Sequence, residues 1–205
     1  MRSVFRAWLV GALGLGCLGM DCHAKPALAF LGLSPDSDPL IRAELERRIR
    51  GELAADSSLS GFAQADIDML FAKGILTGPE AGPRDMPRLA RGLPAQFYAY
   101  GYLQPMTLSS SRIWWKPWKV NVTLAQGLRW RVLEGNAGRV IYDGIVPVTL
   151  PEHAFLWAPE NRFSRMGPLE RDAYLRKLMP LLSAESAKAL SKAVAGSKGG
   201  FPKGP

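Results

Sequence analysis

Cysteine and histidine are scarce in this 205-residue chain, with two of each. Three of those four residues, Cys17, Cys22 and His23, fall in a stretch that reads as an export leader. Arg2 and Arg6 give a short positive start, Ala7 to Met20 is an uncharged apolar run, and Cys22-His23-Ala24 sets a small residue before Lys25. Residues 1–24 are therefore expected to be a signal peptide, with the working protein outside the cytoplasm. A cut after Ala29 would split the apolar segment Ala27 to Leu33. Lipid attachment at Cys17 is the weaker reading, because Gly14 stands where such sites usually carry leucine. Once the leader is gone no thiol remains, which excludes a disulfide scaffold, a cysteine-based metal site and a Cys-His pair. Long apolar runs are missing too. The leader's run is about 14 residues, short of the roughly 20 needed to span a bilayer, and no later stretch is longer.

Acidic residues are absent from a long central region. Between Met86 and Leu133 stand Arg88, Arg91, Arg112, Lys116, Lys119, Arg129 and Arg131, with no Asp or Glu. The leader removes two basic residues and one acidic residue, Asp21, so the formal +8 of the whole chain falls to +7. A field of that sign favours anionic partners such as phospholipid headgroups, cell-wall polymers or an acidic protein face. Export argues against nucleic acid as a partner.

What is present is the alternation of an α/β domain. Residues 25–195 have the length of one domain, 25–150 forming the sheet and 151–195 the C-terminal helices, with 196–205 a flexible basic tail. Ala27 to Leu33 is a continuous apolar run that suits a strand buried on both faces. Asp38 and Pro39 open a helix to about Ala55, with Ile41, Leu45, Ile49 and Leu53 on one face and the i, i+4 pairs Glu44/Arg48 and Glu46/Arg50 on the other. A short strand is expected within Leu59 to Gln64, a helix capped by Asp66, and a third from Asp85 to Gly92. Gln96 to Leu103 is a further strand. After a Ser- and Trp-rich insert, Trp118 to Leu133 alternates: Trp118, Val120, Val122, Leu124, Leu128, Trp130 and Val132 share one parity and Lys119, Asn121, Thr123, Arg129 and Arg131 the other. Gly127 reads as a bulge or bend. Gly135-Asn136-Ala137-Gly138 reads as a turn returning Arg139 to Val148 antiparallel. Helix follows from Pro168 to Ala195, with a break expected at Pro180.

The chemical inventory is thin. His153 is the one histidine outside the leader, no G-x-S-x-G elbow accompanies Ser109, Ser110 or Ser111, and glycine-rich phosphate loops are missing outside the leader. Asp36/Asp38 and Asp66/Asp68 are the tightest carboxylate pairs, and both sit where helix starts need acidic caps. No catalytic residue, cofactor or metal is expected. Arg112-Ile113-Trp114-Trp115-Lys116-Pro117-Trp118-Lys119 stands out, with three tryptophans and three basic residues in eight positions. It suits an exposed loop that anchors a protein partner, enters a membrane interface or stacks on sugar. The alternative is that Trp118 begins the core face and the rest folds over the sheet edge. Arg129 and Arg131 would extend an exposed patch.

Three segments carry a family resemblance. Ala27 to Leu33 with its capped helix, Ala95 to Leu103, and the hairpin Trp130 to Glu134 with Gly138 to Tyr142 are similar to the CsgG-like, TolB amino-terminal and penicillin-binding-protein activator (LpoB-like) group. Gln96 stands where that group has Asp. The resemblance implies a mixed sheet flanked by helices and a role in envelope assembly through protein contacts. The combined expectation is an α/β (α+β) domain with a long antiparallel hairpin and a C-terminal helical segment, at the periplasm or outer-membrane periphery of a bacterium. It would be no enzyme and would dock another envelope protein through Arg112, Trp114, Trp115, Lys116, Trp118, Lys119, Arg129 and Arg131. Binding of cell-wall glycan or anionic lipid is the alternative, and a hydrolase built on His153 a remoter one.

Overall fold

The apolar run Ala27–Leu33 forms strand β1 and is buried along almost its whole length. In a strand, neighbouring side chains point to opposite faces, so an unbroken apolar run needs a helix layer on each side. The computed structural model supplies both, and it describes residues 25–36, 38–112, 114–116, 119–155 and 168–197. Leu28, Phe30 and Leu33 enter one core, and Ala29 and Leu31 enter the other.

Helix α1 (Pro39–Ala55) begins as its sequence dictates. The Asp38 carboxylate accepts the amide protons of Leu40 at 2.8 Å and Ile41 at 3.2 Å, filling backbone donors that the first turn cannot satisfy. Ile41, Leu45, Ile49 and Leu53 are buried, each worth about 1.5–3 kcal/mol of transfer from water. Glu44 holds Arg48 at 2.7 Å as expected, and Arg47 at 2.6 Å as well. The expected Glu46/Arg50 pair does not form. Glu46 accepts the Leu33 amide at 2.7 Å and Arg50 donates to the Phe30 carbonyl at 2.9 Å. Both reach the outer edge of β1, whose unpaired backbone groups outcompete an exposed ion pair worth only about 0.3–0.5 kcal/mol.

Strand β2 shrinks to Ser60–Gly61 and runs parallel to β1. Helix α2 (Gln64–Ala72) starts earlier than expected, so Asp66 lies in its first turn instead of at the cap, where it accepts the Ala63 amide at 3.2 Å. Helix α3 (Met86–Gly92) follows Asp85. Strand β3 (Phe97–Leu103) pairs parallel with β1. The serine-rich part of the insert is itself a strand, β4 (Thr107–Arg112). Strands β5 (Lys119–Glu134) and β6 (Val140–Phe155) form a hairpin of two 16-residue arms, so strand extends beyond residue 150, where helix was expected. The sheet order is β2-β1-β3-β5-β6, with β4 on the same edge of β5 as β3.

Helix α4 (Pro168–Ser197) closes the domain without the expected break and continues two residues past Ala195. Pro180 lies on the exposed face of α4, so the carbonyl it leaves unbonded is on the water side. Burial of Leu175, Leu178, Met179 and Leu182 around it offsets a proline cost of about 3 kcal/mol. Helices α1 and α4 cover one face of the sheet over Leu128, Trp130 and Val132, and α2 and α3 cover the other over Tyr98, Tyr100 and Leu133. The Ser191 hydroxyl of α4 donates to Asp56 at the end of α1. That bond, with those from Ser58, holds the Asp56 carboxyl below its ordinary range.

Candidate functional site

The β5–β6 hairpin follows from alternation and turn chemistry. Gly138 takes a φ of 62° and donates to the Glu134 carbonyl at 2.8 Å. Gly135 is required for space: a Cβ there would lie 2.4 Å from the Ala95 carbonyl oxygen. On β5, Leu124, Leu128, Trp130 and Val132 are wholly buried, as their parity predicts. Gln126 shares that parity and is 2% exposed. Its amide donates to the Gln104 carbonyl, because Gln104, Pro105 and Met106 stand opposite Gln126 and Gly127. The bulge expected at Gly127 therefore lies in the partner line, between β3 and β4.

Beyond that bulge β4, β5 and β6 continue as a three-stranded arm, and residues 113–118 connect β4 to β5. Trp114 is 86% and Trp115 61% exposed, their rings edge to face at 5.5 Å and 88°. Lys116 beside them is exposed. Arg112 and Lys119 occupy the facing ends of β4 and β5. Trp118 lies outside the described residues, as do the side chains of Arg112, Lys119 and His153.

Arg129 and Arg131 do not join the tryptophans. Ten residues of β5 separate Arg129 from Lys119, roughly 30 Å along a strand. Both guanidinium groups converge instead on Asp143 of β6. Arg129 grips its two oxygens at 2.8 and 3.2 Å, and Arg131 donates twice to one of them at 3.1 and 2.8 Å. Arg131 also donates to the Tyr100 hydroxyl at 3.3 Å. Hydrogen bonds from Arg129 and Arg131 hold the Asp143 carboxyl below its ordinary range, and the same bonds raise both arginines. The acid-free run Met86 to Leu133 thus receives its acid from across the hairpin.

Asp143 was the residue that sequence reasoning missed. Counting back from the turn sets Tyr142 opposite Arg131. Leu133 pairs with Val140 but Val132 with Tyr142, so Ile141 is bulged out and Asp143 slides into register with Arg131. The arginines line a cleft of about 680 Å³ with Asp36, Asp38, Tyr102 and Asp172. Burial first, then the bond to Tyr100, pushes the Tyr102 hydroxyl up to about 12. Both arginines share the one carboxylate of Asp143, and the other charged residues lining the cleft, Asp36, Asp38 and Asp172, are acidic, so its described walls carry no excess of positive charge to attract an anion. Among the described residues no group of three or more His, Cys, Asp or Glu side chains comes together to hold a metal ion. None of the described helices is long and apolar enough to cross a membrane.

These features define a mixed α+β sheet domain, helices on both faces, with a hairpin arm tipped by exposed tryptophan. No family model matches the chain, and no curated protein matches it. Among solved structures, the hypothetical protein CT253 from Chlamydia trachomatis superposes over 83% of this chain and 98% of that chain, with a TM-score of 0.51 and 19% identity. The likeness is one of fold. Lipoprotein GNA1162 from Neisseria meningitidis covers 82% of this chain and 99% of its own at 10% identity and a TM-score of 0.45. The LpoB C-terminal domain from Salmonella enterica covers 60% and 82% at 16% identity and 0.41. At those scores the last two superpositions are too loose to carry weight.

Proposed function

We propose that this chain is a non-catalytic, exported cell-envelope protein that docks another envelope protein as an assembly or accessory factor, and that the arm tip at Trp114, Trp115 and Lys116 is its contact. The exposed tryptophan pair carries the reading. Two indole rings on adjacent residues leave on the order of 300 Å² of aromatic surface in water. Folding gains little from them there beyond their own edge-to-face contact. Tryptophan at such a position is the residue most often found to anchor a protein interface, each worth about 2 kcal/mol or more when buried by a partner. The leader-like first 24 residues and the three segments resembling envelope-assembly proteins support the cellular setting.

A second reading is favoured by Lys116 beside the indoles, the pairing that suits a bilayer interface with anionic headgroups. Crosslinking in cells, followed by purification from the envelope fraction, separates the two when run beside a folded Trp114→Ala, Trp115→Ala variant. A defined envelope protein captured by the wild type and lost in the variant is the expected result. Enrichment of lipid or glycan without protein would overturn docking. Binding to anionic vesicles that collapses between low and high salt would then establish the interfacial reading.

A further inference from the structure

A strand at the edge of a sheet carries unpaired amides and carbonyls that invite another strand, and proteins usually blunt such edges. Three edges are blunted here. Strand β2 is two residues long. Beyond it, Arg50 donates to the Phe30 carbonyl at 2.9 Å and Glu46 accepts the Leu33 amide at 2.7 Å, so side chains of α1 satisfy outer groups of β1. Strand β6 is guarded by proline. The Gln104 amide donates to the Gly127 carbonyl at 2.9 Å, which sets the backbone groups of Gly127 on the β3 and β4 side of β5. Pro147 stands opposite Gly127, and Pro151 opposite Thr123. In an antiparallel ladder both proline nitrogens therefore point away from β5, to the open side, where they offer no donor.

Strand β4 has none of this protection. Among the described residues its one ladder partner is β5. The same alternation turns the backbone groups of Thr107, Ser109 and Ser111 toward Ala125, Thr123 and Asn121, and leaves those of Leu108, Ser110 and Arg112 on the outside. No proline interrupts the run. The side chains of Thr107, Ser109 and Ser111 are short, uncharged and exposed, so nothing on that face holds a second strand away.

We propose that β4 pairs with β4 of a second copy of this chain, antiparallel about a two-fold axis at Ser110, which joins two arms into one six-stranded sheet. That register pairs all three outward residues, Ser110 with its own copy and Leu108 with Arg112, for about six backbone hydrogen bonds. Charge favours a second copy over an unrelated strand. In line with β4, the register carries residues 114–116 of one copy to residues 104–106 of the other, which border the cleft. Lys116 is exposed, and it arrives where Asp36, Asp38 and Asp172 line the wall. Symmetry makes the same contact twice. The pairing uses the backbone of β4 and needs neither indole ring, so it goes beyond the docking reading and stands or falls apart from it.

Sedimentation equilibrium of the purified chain should show a reversible exchange between monomer and dimer. Backbone amide exchange, measured at low and high protein concentration, should slow at least about tenfold at Leu108, Ser110 and Arg112 as the dimer forms. It should not change at Ile145 or Thr149, which face the open side of β6. Ser110→Pro removes an outward amide and spares the ladder to β5, and should weaken the dimer at least about tenfold while still capturing the envelope partner. Trp114→Ala with Trp115→Ala should do the reverse, losing that partner and keeping the dimer. The exchange measurement needs only the wild type, so the test holds even where Ser110→Pro does not fold. A chain that stays monomeric into the high-micromolar range, or protection at β6 in place of β4, would overturn the proposal. So would β4 amides that slow only once an envelope protein is bound, which would give the edge to that protein.

Discussion

Trp130 and the pair Trp114 and Trp115 are the same kind of residue placed at two ends of one sheet. In the base, Trp130 is fully buried, edge to face with Phe30 at 5.5 Å, beneath α1 and α4. At the arm tip, Trp114 and Trp115 are largely exposed. Among the described side chains of β5, those entering the two cores run from Leu128 to Leu133. The base is therefore held by layers on both faces, and the arm by ladder pairing along β4, β5 and β6 with burial only near its root, at Leu124 and its partner Leu150. A side chain in the base is constrained by its neighbours, so substitution there reads out as stability. A side chain at the tip has few such neighbours, so substitution there should read out as lost contact with something else.

The contrast is broken most severely at Trp130. Trp130→Ala should cost about 3–5 kcal/mol in denaturant-induced unfolding, the usual result of opening a large cavity in a core. Next comes Gly135→Ala at the hairpin's start, where a Cβ would fall 2.4 Å from the Ala95 carbonyl oxygen and 3.0 Å from the Tyr98 ring. Backbone has to move, and a loss of about 1–3 kcal/mol is expected in the same assay. On the solvated side of the base's edge hairpin, Asp143→Asn should cost up to about 1 kcal/mol, because the ion pairs it ends are partly exposed. That difference has a pH signature. The folded-state pKa of Asp143 is depressed, by Arg129 first and then by Arg131. Its contribution is thus intact above about pH 4, the ordinary aspartate value, and is lost as pH falls through the lowered one. Unfolding curves of wild type and Asp143→Asn should converge in acid and separate toward neutrality. Smallest in stability is Trp114→Ala with Trp115→Ala, expected to shift unfolding by no more than about 0.5 kcal/mol while abolishing capture of the envelope partner. A large loss of stability in that variant would show that the tip is a structural element.

Legibility in the sequence followed the same division. The seam of α1, its Asp38 cap, the two-sided burial of β1 and the alternation of β5 were readable, because each depends on residues a few positions apart. The tip was readable as a composition, three tryptophans and three basic residues in eight positions, and the exposure of Trp114 and Trp115 fits one of its two readings. The serine-rich stretch misled because Ser109 to Ser111 look like a loop, yet β5 offers them a ladder from Thr123 to Asn121. Arg50 misled because Glu46 stands four residues away and looks like its partner.

By itself the sequence determined most of the strands and helices, though not β4 or the far end of β6, together with which faces turn inward and where the hairpin turns, since periodicity and turn chemistry are local. Partnerships were decided only by the tertiary structure. The bulge at Ile141 brings Asp143 opposite Arg131, the free edge of β1 draws Glu46 and Arg50 apart, and packing on both sides of Pro180 carries α4 through a residue that should end it. In each case the competing energies come from groups distant along the chain, and a single shifted register or an unpaired edge is enough to choose between them.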